Sequence, residues 1–166
     1  MGATDSFRLV PAQAEHLDIL ASWPKSQAEC DTWSGHNVTF PVDRLRMERE
    51  IKFATVASFA LLRAGELVAF GQIFYRSRDR GHVARLIVHP EMRGLGIGKD
   101  LIAELIAAAR AGGARTISLN VNSDNEGGVR FYRRLGFAAA ERPAEDLVPP
   151  TCFYMERPAG RDEGNA

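Results

Sequence analysis

The feature that most constrains this chain is a run of three alternating glycines, Arg93-Gly94-Leu95-Gly96-Ile97-Gly98. It lies between a segment that predicts a strand over 82–89 and residues with helical spacing over 101–109. Glycines let the backbone approach a ligand closely and take a positive φ. The first turn of a helix adds unpaired N–H groups and partial positive charge. With Arg93 and Lys99 beside it, the run predicts a phosphate-binding turn.

Two other phosphate-binding motifs do not fit this spacing. A Walker A loop needs glycine five residues before Gly-Lys-Ser/Thr, but that position is Arg93, and Gly98-Lys99 is followed by Asp100. A dinucleotide fingerprint that starts at Gly94 requires glycine where Lys99 stands. A plain tight turn would not need three glycines, because each glycine costs backbone entropy.

The order of predicted elements indicates a mixed α/β domain with a largely antiparallel start. Strands are predicted over 7–10, 56–63, 67–75, 82–89, 116–121, 137–141 and 151–156, and helices over 14–23, 42–53, 101–109 and 129–135. Ala64-Gly65-Glu66 predicts a hairpin, with Gly65 available for a positive φ. Residues 25–41 are predicted to be irregular. We expect one domain over 1–157 and a disordered tail over 158–166.

The composition excludes several classes of function. The chain of 166 residues has 21 Lys and Arg against 21 Asp and Glu, so no net charge draws it to nucleic acid or to an acidic membrane. No stretch approaches the roughly 20 apolar residues of a membrane span, and the first ten residues do not resemble a signal peptide. Cys30 and Cys152 form no metal-spaced cluster. We therefore expect free thiols in a soluble, cytoplasmic protein without a metal site.

Two blocks of the sequence resemble the GNAT superfamily of N-acetyltransferases. Residues 86–98 are similar to motif A of that family, which is Gln/Arg-x-x-Gly-x-Gly/Ala after a strand. Residues 119–137 resemble the family's Asn-x-x-Ala-x-x-x-Tyr block, with Asn125, Tyr132 and a terminal Gly-Phe. Gly128 stands where alanine is usual. Before these blocks the resemblance rests on the order of elements alone.

The resemblance implies a fold and a cofactor. The fold is a mixed α/β (α+β) arrangement, with a strongly twisted central sheet of about six to seven strands and about four flanking helices. Two parallel strands, 82–89 and 116–121, would splay apart to admit the pantetheine arm of acetyl-CoA, while the turn holds its pyrophosphate. The residues that the resemblance assigns to the cofactor are Leu86, Ile87, Val88, Arg93, Gly94, Leu95, Gly96, Ile97, Gly98, Lys99 and Asn125.

The resemblance also implies acetyl transfer to a primary amine by direct attack in a ternary complex, and we expect a small-molecule amine. Tyr132 is the candidate general acid. A phenol of pKa about 10 keeps its proton at neutral pH and can offer it to the thiolate of a thiol with pKa about 8.5. An aromatic packed beside Phe131 and Phe137 is the alternative. Asn125 is expected to cap the helix as well.

The sequence does not identify the general base. In family members that acetylate ribosomal proteins, a glutamate stands between two apolar residues of the strand predicted over 116–121, which are Leu119 and Val121 here. Here that position is Asn120, which cannot take a proton. His82, Glu66 and removal of the proton through water are the alternatives.

The acceptor side is expected at 25–41, where the resemblance places specificity. The aromatic and imidazole side chains in and beside this segment either line a pocket or anchor a long loop on the core; they are Trp23, Trp33, His36 and Phe40. The alternatives to a small-molecule enzyme are an N-terminal or lysine protein acetyltransferase and a non-catalytic acyl-CoA-binding module. A homodimer is common in the family, and no residue pattern here indicates it.

Overall fold

A computed structural model describes residues 6–146 and 150–160. This part of the chain contains seven β-strands and five α-helices. The strands are β1 (Phe7–Pro11), β2 (Ala57–Arg63), β3 (Glu66–Ser77), β4 (Arg80–Val88), β5 (Thr116–Asn122), β6 (Ala138–Ala139) and β7 (Cys152–Pro158). The helices are α1 (Ala14–Leu20), α2 (Gln27–Ser34), α3 (Arg44–Glu50), α4 (Ile97–Ala111) and α5 (Glu126–Arg134), with a 3₁₀ turn at Pro90–Met92.

The strands form a mixed sheet in the order β1-β2-β3-β4-β5-β7-β6. β2 is antiparallel to β1 and β3, and β7 is antiparallel to β5 and β6. β4 and β5 are parallel, and their ladder comprises three pairs, from Arg80 with Thr116 to His82 with Ser118. The predicted mixed fold with one parallel pair is confirmed, with five α-helices in place of about four.

The additional helix is α2, which lies in the segment predicted to be irregular. Ser26 caps it, because its Oγ accepts a hydrogen bond from the third N–H of the helix at 3.1 Å. Gly35 ends it with φ of 62°. The prediction for 25–41 is therefore wrong in its first half. The apolar pattern is weak there because the helix buries only a narrow stripe, which includes Cys30 and Trp33.

The predicted hairpin between β2 and β3 is confirmed. Its two loop residues, Ala64 and Gly65, have φ of 51° and 81°. Two consecutive positive φ values are what a type I′ turn requires, and this turn matches the right-handed twist of the strands it joins.

The chain divides into two compact units. Unit 1 comprises Met1–Phe74 and Ala84–Leu105. Its core is formed by Leu17, Leu20, Trp23, Cys30, Trp33, Val38, Met47, Ile51, Ala60, Leu62, Leu67, Phe70 and Ile87. Within this unit, a Cβ at Gly71 would lie 2.7 Å from Leu105 Cδ1 and 2.9 Å from Leu86 Cδ2. The absence of a side chain at Gly71 therefore lets residues of β4 and α4 pack closely on β3.

Unit 2 comprises Tyr75–Val83 and Ile106–Ala166. Side chains of β5 alternate between its two faces, as in any strand. Ile117, Leu119 and Val121 are buried and apolar, whereas Ser118, Asn120 and Asn122 lie on the opposite, polar face. Further buried apolar residues of this unit are Ile106, Ala109, Val129, Phe137 and Met155.

The end of β7 corrects the predicted tail. Pro158 is the last residue of β7. Ala159 is buried, and its N–H donates to Arg115 O at 2.8 Å. The disordered tail predicted from 158 is therefore wrong for these two residues, and 161–166 lie outside the described residues. Within the described ranges, no helix has the length and apolar character needed to cross a bilayer.

Candidate active site

The glycine run forms a sharp turn between β4 and α4 in unit 1. β4 ends at Val88, the 3₁₀ turn follows, and α4 begins at Ile97. Gly94 and Gly96 have φ of 81° and 83°, a region that side chains disfavour. A Cβ at either position would meet no atom within 4 Å. The two glycines are therefore needed for backbone conformation, and open space lies over the turn.

The surface of this turn suits an anion. Arg93 and Lys99 are both exposed and add two positive charges. The N–H of Asp100 donates to Gly96 O at 3.3 Å. The N–H groups of the residues before Asp100 therefore lie in the first turn of the helix, where the backbone offers them no helical acceptor. Backbone N–H groups and two cations can together hold a phosphate.

An irregularity in β4 precedes the residues assigned to the pantetheine arm. Arg85 has φ of 53° inside the strand, a strained conformation for a residue with a side chain. Its guanidinium donates to Gln72 Oε1 at 2.6 Å and lies over the ring of Phe74 at 5.2 Å. The amide of Gln72 donates in turn to Ile51 O at 3.0 Å and to Ser58 Oγ at 2.8 Å. These contacts hold Arg85 in this conformation, immediately before the three residues assigned to the pantetheine arm. Sequence reasoning missed it.

Asn125 precedes α5 as its N-cap and Tyr132 lies within the helix, both in unit 2. Asn125 caps the helix as predicted, because its Oδ1 accepts from Gly128 N at 2.9 Å. A Cβ at Gly128 would lie 2.8 Å from Asn125 Cγ, so the glycine lets the capping side chain lie close to the first turn of the helix. Tyr132 is partly buried, with its ring 5.1 Å from that of Phe131 and 5.9 Å from that of Phe137. Burial raises the pKa of Tyr132 to about 12.

The two candidate bases differ in their surroundings. Glu66 is exposed at the first position of β3. His82 is 3% exposed, its Nδ1 lies 2.8 Å from Ser118 Oγ, and its ring stacks on Tyr154. Burial, together with the positive charges of Arg76 and Arg80, lowers the pKa of His82 to about 4. His82 is thus neutral and weakly basic at pH 7, which favours a structural role.

A buried ion pair in unit 2 could not be foreseen from the sequence. The Arg80 guanidinium donates to both carboxylate oxygens of Asp146, at 2.7 and 3.2 Å. It also donates to the hydroxyl of Tyr154 at 3.2 Å, and that hydroxyl donates to Glu156 at 2.7 Å. Arg80 and Asp146 are 66 residues apart in the chain, so no local pattern links them.

The aromatic residues expected on the acceptor side are divided between core and surface. Trp23 and Trp33 are 3% and 6% exposed and belong to the core of unit 1. Trp33 packs edge-on against Phe70, with ring centroids 6.4 Å apart. These two side chains therefore anchor the segment, whereas His36 and Phe40 are exposed. A pocket lined by the exposed pair stays a prediction.

Both thiols are free and poorly suited to nucleophilic attack. Burial and the nearby carboxylates of Asp31, Glu50 and Glu29 raise the pKa of Cys30. Burial also raises the pKa of Cys152. Since the thiolate is the nucleophile, both cysteines are less reactive than an ordinary thiol at neutral pH. Among the described residues, no group of three or more His, Cys, Asp or Glu side chains could hold a metal ion.

A mixed sheet with a parallel pair, and a glycine turn that opens the following helix, are features of the acetyltransferase fold. The chain belongs to the Acetyltransferase (GNAT) family, whose model matches residues 20–137. The resemblance based on the two sequence blocks is thereby confirmed.

Similar proteins include an uncharacterised N-acetyltransferase of Methanocaldococcus jannaschii, 39% identical over 64 residues, which are 39% of this chain and 28% of that protein. The mycothiol acetyltransferase of Corynebacterium efficiens is 28% identical over 142 residues, 85% of this chain and 48% of that protein. The matched regions thus span less than half of these relatives. A solved structure of spermidine N-acetyltransferase from Vibrio cholerae, with CoA and spermine, has a TM-score of 0.71 at 15% identity, covering 92% of this chain and 95% of that one.

Proposed function

We propose that this chain transfers an acetyl group from acetyl-CoA to a primary amine of a small molecule, by direct attack in a ternary complex. The observation that carries the proposal is the turn before α4, where Gly94 and Gly96 hold positive φ with open space above them. Membership of the GNAT family supports acetyl-CoA as the donor. The similar spermidine N-acetyltransferase also binds CoA.

The residues of the turn fit the phosphates of CoA. Backbone N–H groups at the start of α4 would bind the pyrophosphate, and Arg93 and Lys99 would neutralise its charge. The backbone of 86–88, which follows Arg85, would bond the amides of the pantetheine arm, and Asn125 would add a side-chain contact. The cofactor supplies a thioester that is activated for attack by an amine.

Tyr132 would assist departure of the thiolate. At a pKa of about 12 its phenol stays fully protonated at neutral pH, the form a hydrogen-bond donor needs. A thiol has a pKa of about 8.5, so complete proton transfer to the thiolate is uphill by more than three pKa units. Tyr132 therefore acts mainly by donating a hydrogen bond to the sulfur as the C–S bond breaks.

Water would remove the proton of the amine. His82 is buried, in hydrogen-bond contact with Ser118, and too weakly basic at pKa about 4 to take it. Glu66 is exposed at the first position of β3, beside the hairpin turn. The raised pKa values of Cys30 and Cys152 argue against an acetyl-cysteine intermediate and for direct attack.

The experiment is thiol release from acetyl-CoA across an amine panel of spermidine, glucosamine and a peptide with a free N-terminal alanine. We expect at least one small amine to accelerate release, with intersecting initial-rate lines when both substrates are varied. Turnover only with the peptide would identify a protein acetyltransferase. Tight acetyl-CoA binding without thiol release on any amine would identify a non-catalytic acyl-CoA-binding module and refute the proposal.

We further propose that the protein works in the cytoplasm as a homodimer. The two free thiols, Cys30 and Cys152, support a reducing compartment. The dimer is proposed on the family resemblance, and sedimentation equilibrium of the full chain tests it, since a monomer mass at all concentrations would contradict it.

A further inference from the structure

His89 connects the end of β4 to the residues that lead into the glycine turn. It follows Val88, the last residue of β4, and precedes the 3₁₀ turn at Pro90–Met92. Its N–H donates to Val68 O of β3 at 2.9 Å, and its own carbonyl accepts from Met92 N at 2.9 Å. The backbone of His89 is therefore bonded on one side to the sheet and on the other side to the 3₁₀ turn.

The imidazole of His89 caps this 3₁₀ turn. Its Nδ1 accepts a hydrogen bond at 3.1 Å from Glu91 N, which is the first N–H group of the turn because proline has none. The residue before a proline is held in an extended conformation, and His89 has φ of −46° and ψ of 129°. Asn and Asp side chains cap turns in the same way, by accepting from a backbone N–H two residues further on. Since Nδ1 accepts, the proton of the neutral ring lies on Nε2.

The ring of His89 also packs against the core of unit 1. Its centroid lies 5.2 Å from that of Trp23, and the two ring planes are inclined by 60°. Trp23 is 3% exposed and belongs to the core of this unit. A tilted contact of this kind is favourable for two aromatic rings and restricts the rotation of the imidazole. His89 thus connects the core, the end of β4 and the first N–H group of the 3₁₀ turn.

We propose that His89 is a positioning residue for acetyl-CoA, which fixes the glycine turn relative to β4 through the hydrogen bond that its Nδ1 accepts. This inference rests on the proposed function, which assigns the pantetheine arm to 86–88 and the pyrophosphate to the glycine turn. One cofactor molecule must contact both segments, and residues 89–92 alone separate them. A hydrogen bond weakens steeply when its distance or angle departs from the ideal. A change of conformation within 89–92 would therefore weaken the bonds between the turn and the phosphates while the pantetheine arm stays in place.

Two substitutions separate the hydrogen bond of His89 from the packing of its ring. His89→Asn keeps an acceptor, because the amide oxygen takes a place close to that of Nδ1, but it removes the ring that packs on Trp23. His89→Phe keeps an aromatic ring beside Trp23 and removes the acceptor. The Kd for acetyl-CoA should rise about fivefold in His89→Phe and stay within about twofold of wild type in His89→Asn. The melting temperature should fall more in His89→Asn, because that variant loses the apolar contact with the core.

Isothermal titration with acetyl-CoA measures the Kd, and thermal unfolding of the free protein measures the melting temperature. An equal rise of the Kd in both variants, or a larger rise in the less stable His89→Asn, would make His89 a packing residue and overturn the assignment. An unchanged Kd in His89→Phe would also overturn it. If the wild type binds acetyl-CoA and no amine accelerates thiol release, the proposed transfer is refuted, whereas the two Kd values still decide the role of His89. Absence of acetyl-CoA binding by the wild type would overturn both proposals.

Discussion

Replacement of Gly96 by alanine separates the conformational role of the turn from its role in binding. Gly96 has φ of 83° and no atom within 4 Å of an added Cβ, so the methyl group meets no steric clash. The cost is backbone strain, since a left-handed conformation costs an L-residue roughly 1–2 kcal/mol. For a chain of this length that loss lowers the melting temperature by roughly 2–8 °C.

Gly65 provides a matched control for this substitution. It has φ of 81°, its Cβ position is also open, and it lies in the hairpin between β2 and β3. Gly65→Ala should therefore destabilise the protein by the same roughly 1–2 kcal/mol as Gly96→Ala. Acetyl-CoA binding should distinguish the two variants, because only Gly96 lies in the turn assigned to the pyrophosphate.

The expected binding loss follows from the strain. Gly96→Ala relaxes the turn away from positive φ and rotates a backbone N–H away from the phosphate. Binding can restore the native conformation at no more than the strain of roughly 1–2 kcal/mol, so the Kd should rise roughly five- to thirtyfold. Isothermal titration with acetyl-CoA measures the Kd, and thermal unfolding measures the stability. A Kd for Gly96→Ala within twofold of that for Gly65→Ala would refute the assignment of the turn.

Three further changes test the rest of the site. Tyr132→Phe keeps the ring against Phe137 and removes the donor, so kcat should fall at least tenfold with little change in acetyl-CoA Kd; an unchanged kcat would leave Tyr132 a packing residue. The native pKa of about 4 for His82, against 6.5 unfolded, means that the unfolded chain binds the proton first. The free energy of unfolding should fall below pH 6.5 by up to about 1.4 kcal/mol per pH unit. Measured by urea titration, it should depend less on pH in His82→Gln than in the wild type, and equal pH dependences would contradict the lowered pKa. Asp146→Asn leaves the Arg80 charge buried without its carboxylate, so the free energy of unfolding in urea should fall by roughly 3 kcal/mol. A decrease below about 1 kcal/mol would mean that water hydrates the guanidinium in the variant.

The sequence predicted the elements whose rules are local. The spacing of α4, the hairpin at Ala64 and Gly65 and the turn at Gly94 and Gly96 all follow from periodicity or from a backbone conformation that glycine suits. Asn125 was predicted as a helix cap for the same reason. Each of these features depends on residues within a few positions of one another, so a short stretch of sequence is enough to predict it.

Features that depend on tertiary packing were not predictable. Arg85 takes a positive φ because Gln72 and Phe74 hold its guanidinium, and no local rule favours arginine there. The weak basicity of His82 comes from burial, and the partner of Arg80 lies on a distant segment. α2 was missed because it buries a narrow stripe of residues, so periodicity is a poor signal for it.

The contrast between local backbone conformation and side-chain contacts also applies to how an acetyl donor and an acceptor amine are recognised. A turn of N–H groups binds phosphates through conformation alone, and the pyrophosphate is the same in every acyl-CoA. A family can therefore keep this turn while its acceptors differ, as the names of the mycothiol and spermidine acetyltransferases indicate. The acceptor must instead be distinguished by side chains, where a single substitution changes charge and hydrogen bonding without a change of backbone. We therefore expect substitutions in the glycine turn to change the affinity for acetyl-CoA, and substitutions of side chains outside the turn to change the choice of amine.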